Sequence, residues 1–177
     1  MSVTEALLLV DVLKDFDHED GDALLESYRC RHAALASLLE DARGRGIAVV
    51  YANDGAGRWD GDPEGLVRAA VEQGKAGDLV ARVAPRDGEP LVLKEAYSAF
   101  EGTDLAERLR GLGVERVAVA GAATEMCVFQ TAMDAQQAGL EVVVRGDASA
   151  TVDLRNERVA LEYLERVAGL EVVRPSE

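Results

Sequence analysis

The chain has 177 residues, 48% of them apolar, which is enough for one sizeable core without metal or disulfide staples. Its formal net charge is -14, and its 16 arginines and 3 lysines form no dense basic cluster, so phosphate backbones and anionic lipid are repelled. Nucleic acid is excluded as an expected partner. Cys30 and Cys127 make neither a disulfide framework nor a paired zinc spacing, so two free thiols are expected. With no basic region leading into an apolar one, and no run approaching a membrane span, a cytoplasmic protein without a membrane partner is expected.

The first apolar run, Ala6-Leu-Leu-Leu-Val10, ends in Asp11 and predicts a strand buried on both faces with a carboxylate at its C-terminal end. Phe16 follows in the acidic loop 15–21, as a pocket wall or a core anchor. From Asp22 to Arg43, Leu24, Leu25, Tyr28, Leu35, Leu38, Leu39 and Ala42 keep helical spacing, and Gly44 and Gly46 stop the helix. His32 falls close to that stripe as a packing or interface residue, and Cys30 falls off it. Ile47 to Ala52 is a second buried strand, closing in a glycine-rich loop from Asn53 to Pro63 that carries Trp59, the one tryptophan. Trp59 either lines a pocket or anchors the loop.

Pro63 to Gln73 predicts a short helix, and Leu79 to Ala84 a strand or an irregular excursion after Gly74 and Gly77. Leu91-Val-Leu93 is a short strand running directly into Lys94. Thr103 to Gly113 gives a helix capped by Thr103 with Leu105, Leu109 and Leu112 on its apolar stripe, and Val114 to Ala120 gives a strand. That strand breaks at Gly121 and reaches Cys127 as helical periodicity begins. A thiol at a helix N-terminus meets unpaired N–H groups and the positive end of the dipole, an arrangement expected to favour thiolate and to place oxyanion donors beside it.

Val128, Thr131, Ala132 and Ala135 lie on one face of the following helix, which ends at Gly139. A strand from Leu140 to Val144, a helix from Asp153 to Val167 and a strand from Leu170 to Val173 complete the chain. About six strands alternating with helices predict a three-layer α/β domain over 1–177, with a mostly parallel sheet covered on both faces. Such sheets bind ligands beyond the carboxyl ends of their strands. Taken singly, Asp11 is a turn former, Lys94 an edge gatekeeper and Cys127 a small buried hydrophobe. One rim that receives all three is instead a candidate catalytic site.

Leu9-Val-Asp11-Val-Leu-Lys-Asp-Phe16, Leu93-Lys94-Glu-Ala-Tyr-Ser98-Ala-Phe100 and Gly121-Ala-Ala-Thr124-Glu-Met-Cys127-Val together resemble the isochorismatase-like cysteine hydrolases, over nearly the whole chain in order. The resemblance implies a sheet ordered 3-2-1-4-5-6 and an Asp11, Lys94, Cys127 triad. It also implies a cis peptide between Ala122 and Ala123, with the Ala123 and Cys127 amides aimed at one oxyanion. Nicotinamidases of that family carry Asp-x-His-x-x-x-His after the second strand. Here Asp54 is followed by Ala56 and Asp60, and the two histidines, His18 and His32, lie elsewhere, so no metal or other cofactor is expected. Leu13 stands where many relatives have glutamine, which together with the missing histidines argues against nicotinamide.

The expected activity is hydrolysis of a small amide, carbamoyl or related C–N substrate through a thioester on Cys127. Phe16, Trp59, Tyr97, Phe100 and Met126 are the expected apolar pocket residues. A vinyl-ether hydrolase using Asp11 as proton donor, and a thiol redox or ligand-binding protein without turnover, remain open. Homodimers are common in that family, which leaves a homodimer or higher homo-oligomer open as well.

Overall fold

In the computed structural model, which describes residues 4–55 and 57–176, six strands form one sheet. The strands are β1 (Glu5–Val10), β2 (Ala48–Asp54), β3 (Leu91–Lys94), β4 (Arg116–Gly121), β5 (Glu141–Arg145) and β6 (Glu171–Val173). Their order is β3-β2-β1-β4-β5-β6, and all five pairings are parallel. Leu8 of β1 lies opposite Val50 of β2 on one side and Val119 of β4 on the other. The expected order and layering are therefore those observed.

Side chains alternate across a strand, so β1 contributes to two cores. Leu7 and Leu9 meet Leu24, Tyr28, Leu35 and Leu39 of α1 (Gly21–Gly44), Leu66 of α2 (Pro63–Glu72) and Val80 of α3 (Gly77–Arg82). Ala6, Leu8 and Val10 face the other layer, with Leu105 and Leu109 of α4 (Leu105–Gly111), Ala132 and Ala135 of α5 (Phe129–Gln137), and Leu161 and Leu164 of α6 (Leu154–Arg166). Full burial on both faces is why the β1 run reads as continuous leucine rather than as alternation. No helix among the described residues is long and apolar enough to cross a membrane.

Two local expectations are corrected. The segment expected as a strand or irregular excursion forms α3, with Val80 buried in the core. Gly77 permits the sharp entry, because a Cβ there would lie 1.8 Å from the Val71 carbonyl oxygen. Leu112, expected on the buried stripe of α4, is 50% exposed because α4 ends at Gly111.

Candidate active site

Asp11, Lys94 and Cys127 meet beyond the carboxyl ends of β1, β3 and β4. The chain leaves β1 at Asp11 with φ of 52°, a left-handed conformation that aspartate tolerates better than most residues. Its N–H still donates to Ala52 O at 2.8 Å, which holds it against β2, while its Oδ1 accepts the Asp54 N–H at 2.7 Å. β4 approaches equally closely, since a Cβ on Gly121 would lie 1.8 Å from Val10 O. Only glycine allows this contact, through which Ala122 N–H bonds Val10 O at 2.9 Å.

Lys94 is the hub. Its Nζ lies 2.7 Å from Asp54 Oδ1, 2.9 Å from Ala96 O, 2.9 Å from Asp11 Oδ2 and 3.6 Å from Cys127 Sγ, and its side chain is wholly buried. Burial by itself would lower the lysine pKa. The charge of Asp11 and the hydrogen bond to Asp54 outweigh it and hold the ammonium above the usual lysine range. The approach to Asp11 is an ion pair off the hydrogen-bonding direction. Among the described residues, Asp11 Oδ2 is the buried side-chain atom left without a hydrogen-bond partner.

Cys127 sits in a π-helical turn, Thr124–Val128, that precedes α5. Such turns are rare and often occur at functional sites. The Ala122–Ala123 peptide before it is cis. The Ala123 N–H donates to no acceptor among the described residues, and the Cys127 N–H makes no bond outside its own turn. The expectation that this setting favours thiolate is not met. Burial, and then the Asp11 carboxylate, push the thiol from an ordinary 9.0 up to about 12, against the opposing pull of Lys94. A 6% exposed cysteine among two carboxylates holds its proton.

The turn is anchored from both sides by polar groups with no motif of their own in the sequence. Thr124 Oγ1 lies 3.0 Å from buried Glu157 Oε1, and Arg31 grips the same carboxylate at 3.1 and 3.0 Å. The guanidinium also donates to Gly146 O and Ser149 O, at 2.8 and 2.9 Å. On the other side, Glu125 accepts from Thr151 Oγ1 and from the N–H groups of Val152 and Asp153. The bonds from Arg31 and Thr124 offset the cost of burying the Glu157 charge.

The expected pocket residues separate. Phe16 is fully buried with its ring centroid 5.1 Å from that of Tyr28, which makes it a core anchor. Phe100 lines a different cavity, with Leu109 and Leu140, that touches none of Asp11, Lys94 and Cys127. Tyr97 is 56% exposed, and Met126 packs against both cores. Trp59 does both things expected of it, packing on the core and lining a cavity of about 740 Å³ with Leu13, Lys14, Asp54, Arg58 and Leu66. Asp54, which carried no catalytic expectation, joins this cavity to Lys94.

The residues after β2 do not fit the histidine-rich metal set of nicotinamidases. Asp54 is held by Lys94 at 2.7 Å and Lys14 at 3.6 Å, Asp62 caps α2 through Gly65 N–H, and His32 is turned into the core onto Leu79 O at 2.8 Å. Ala56 lies outside the described residues. Among those described, no three His, Cys, Asp or Glu side chains are grouped to hold a metal ion.

A carboxylate, an ammonium and a thiol at the carboxyl end of a doubly wound parallel sheet define an α/β protein with its ligand site at the strand-order switch. The chain belongs to the isochorismatase family: the Isochorismatase domain model matches residues 5–174. It is 28% identical over 168 residues to the isochorismatase family protein YaaI of Bacillus subtilis, covering 95% of this chain and 92% of that one. It is 30% identical over 148 residues to maleamate amidohydrolase of Pseudomonas putida, covering 78% and 68% of the two chains. The crystal structure of nicotinamidase PncA from Bacillus subtilis superposes with a TM-score of 0.77 at 27% identity, over 97% of this chain and 100% of that one.

Proposed function

We propose that this chain is a single hydrolase domain that cleaves a small amide or carbamoyl C–N bond through a thioester on Cys127. The observation that carries the reading is Asp11 Oδ2, fully buried, paired with Lys94 at 2.9 Å and without an aligned donor. It is the group placed to receive a proton. Because the thiol is held protonated, attack on the substrate carbonyl is coupled to transfer of the Sγ proton to Asp11, which then passes it to the leaving amine. The Ala123 N–H, which meets no acceptor among the described residues, and the Cys127 N–H are the donors for the oxyanion. Water then cleaves the thioester with Asp11 as base, and the thiol regains its proton.

Lys94 supplies positive potential beside both reacting groups and positions Asp11. No step requires a metal, so turnover should survive prolonged chelation. The relatives support the amide class, since one is a maleamate amidohydrolase and another a nicotinamidase. The test is a screen of purified protein against primary amides, carbamoyl compounds and isochorismate, following ammonia and pyruvate. Cys127→Ala should lower kcat on the substrate found by more than about 10³-fold, and an early quench should reveal an acyl adduct on Cys127. A folded Cys127→Ala protein with near wild-type turnover would eliminate the thioester.

A further inference from the structure

Thr124 heads the turn that carries Cys127, and beneath it lies an ion pair drawn from both helical layers. Arg31 belongs to α1 on one face of the sheet and Glu157 to α6 on the other. They meet past the ends of β4 and β5, where Arg31 also holds the carbonyls of Gly146 and Ser149. Glu157 Oε2 takes Arg31 Nη2 at 3.0 Å, while Oε1 takes Arg31 Nη1 at 3.1 Å and the Thr124 hydroxyl at 3.0 Å. That hydroxyl has one proton and a second acceptor, Ala150 O at 3.1 Å, but this carbonyl already accepts the Thr124 N–H at 2.8 Å. The carboxylate is the stronger claimant, and at 4% exposure Glu157 makes the bond out of water.

Stability alone does not call for such a pair. A buried ion pair gains little over apolar side chains of the same size, because desolvation cancels most of the attraction. What it supplies that two apolar residues would not is direction: the forked guanidinium fixes the carboxylate plane, and the carboxylate fixes the hydroxyl. As an ion pair it carries no net charge, so it acts on the site through geometry rather than through its field.

Residue 124 stands between Ala123, whose N–H is an oxyanion donor on the thioester reading above, and Cys127. The turn closes on Ala123 O through the N–H groups of Met126 and Val128, at 3.1 and 3.2 Å. A rotation at Thr124 therefore carries Sγ and both oxyanion donors with it. Asp11 and Lys94 are fixed separately, one by its bond to Ala52 O and the other by β3, so they would stay behind.

We propose that Arg31 and Glu157 are positioning residues for the Cys127 reaction, acting through Thr124 to hold the thiol and both oxyanion donors in line with Asp11. They touch neither the substrate nor the reacting atoms. Their loss is felt in the transition state, where a displacement of about 1 Å costs up to about 100-fold in rate.

The test uses a Cys30→Ser background, in which Cys127 is the one thiol. Thr124→Val removes the hydroxyl and keeps the shape, Thr124→Ser restores it, and Arg31→Met with Glu157→Met removes both charges so that neither is stranded. Each is followed by urea unfolding, by iodoacetamide labelling at neutral pH, and by kcat and KM on the amide that the substrate screen yields. Thr124→Val and the double variant should each lower kcat about 10- to 100-fold with KM within about 3-fold, and Thr124→Ser should recover the loss. Labelling should quicken at least about 10-fold as the thiol leaves its buried seat. Adding Thr124→Val to the double variant should cost no more than about 3-fold further, since all three residues act through one hydroxyl. If the double variant does not fold, Glu157→Gln, which keeps the shape, takes its place with the same expectations. Faster labelling in variants of a protein that turns over no amide upholds the positioning role and removes the amide-hydrolase reading. Unchanged labelling and kcat, a loss confined to stability or KM, an additive loss on combination, or a Thr124→Ser variant as impaired as Thr124→Val overturns the proposal.

Discussion

The two ends of the sheet hold the same kinds of ion pair in opposite surroundings. At the amino end, Arg45 meets Glu5 at 3.2 Å and Arg116 meets Glu171 at 2.6 Å, each open to water and each joining the starts or flanks of strands. At the carboxyl end, Lys94 and Asp11 meet at 2.9 Å with both side chains wholly buried. Exposed pairs are screened and contribute about 0 to 1 kcal/mol, so the amino end can be remodelled freely. A buried pair gains little net stability over an apolar one, yet breaking it strands a charge in the interior. The carboxyl end therefore depends on both members of its pair, whereas the amino end tolerates the loss of either partner.

The largest effect should come from breaking the buried pair on one side. Lys94→Met leaves Asp11 without its cation and should destabilise the fold by about 3–5 kcal/mol in urea unfolding, with turnover lost. A loss under about 1 kcal/mol would put the two ends on the same footing. Asp11→Asn should lower kcat by about 10² to 10⁴-fold and yet speed alkylation of Cys127 by iodoacetamide at neutral pH. The sign follows from the thiol's surroundings, since removing the Asp11 charge that raises its pKa leaves Lys94 to lower it. Exposed Cys30 serves as the internal reference. Slower labelling of Cys127 in this variant would assign Asp11 a packing role instead.

A smaller effect is the pH dependence of stability. Cys127 is raised in the folded state, so the native protein retains a proton that the unfolded chain releases above an ordinary 9.0. Stability should be fully present below pH 9 and decline from there towards pH 12, with raised Lys94 adding to the decline above 10.5. Thermal unfolding of Cys127→Ala should begin this decline later than the wild type; identical profiles would refute the assignment. Smallest of all, Arg116→Ala at the amino end should cost less than about 1 kcal/mol despite its 2.6 Å contact, as urea unfolding would report.

Much of this was legible in the residues because strand ends are legible. The runs before Asp11 and Cys127 are apolar on both faces, which marks buried parallel strands, and right-handed crossovers send all such ends to one rim. Lys94 could be placed there from a run of three residues. The Leu79–Ala84 segment could not be read, because its apolar residues fit either period and the Gly77 contact with Val71 that decides for helix is tertiary. The choice between pocket wall and core anchor for Phe16, and the cavity that Phe100 lines, could not be read for the same reason, since an aromatic near a motif carries no information about which side of the backbone it faces.

By itself, then, the order of residues determined the layers, the strand order through its family likeness, and the three chemistry-bearing positions, because periodicity and connection handedness are properties of short segments. The tertiary structure decided what those positions are like. Asp54 became a bridge between Lys94 and Lys14, and Arg31 met Glu157 beneath Thr124, across separations of 40 and 126 residues that no local pattern encodes. Burial among carboxylates also reversed the expected state of the Cys127 thiol, since a pKa depends on solvation and on every neighbouring charge rather than on the helix end alone.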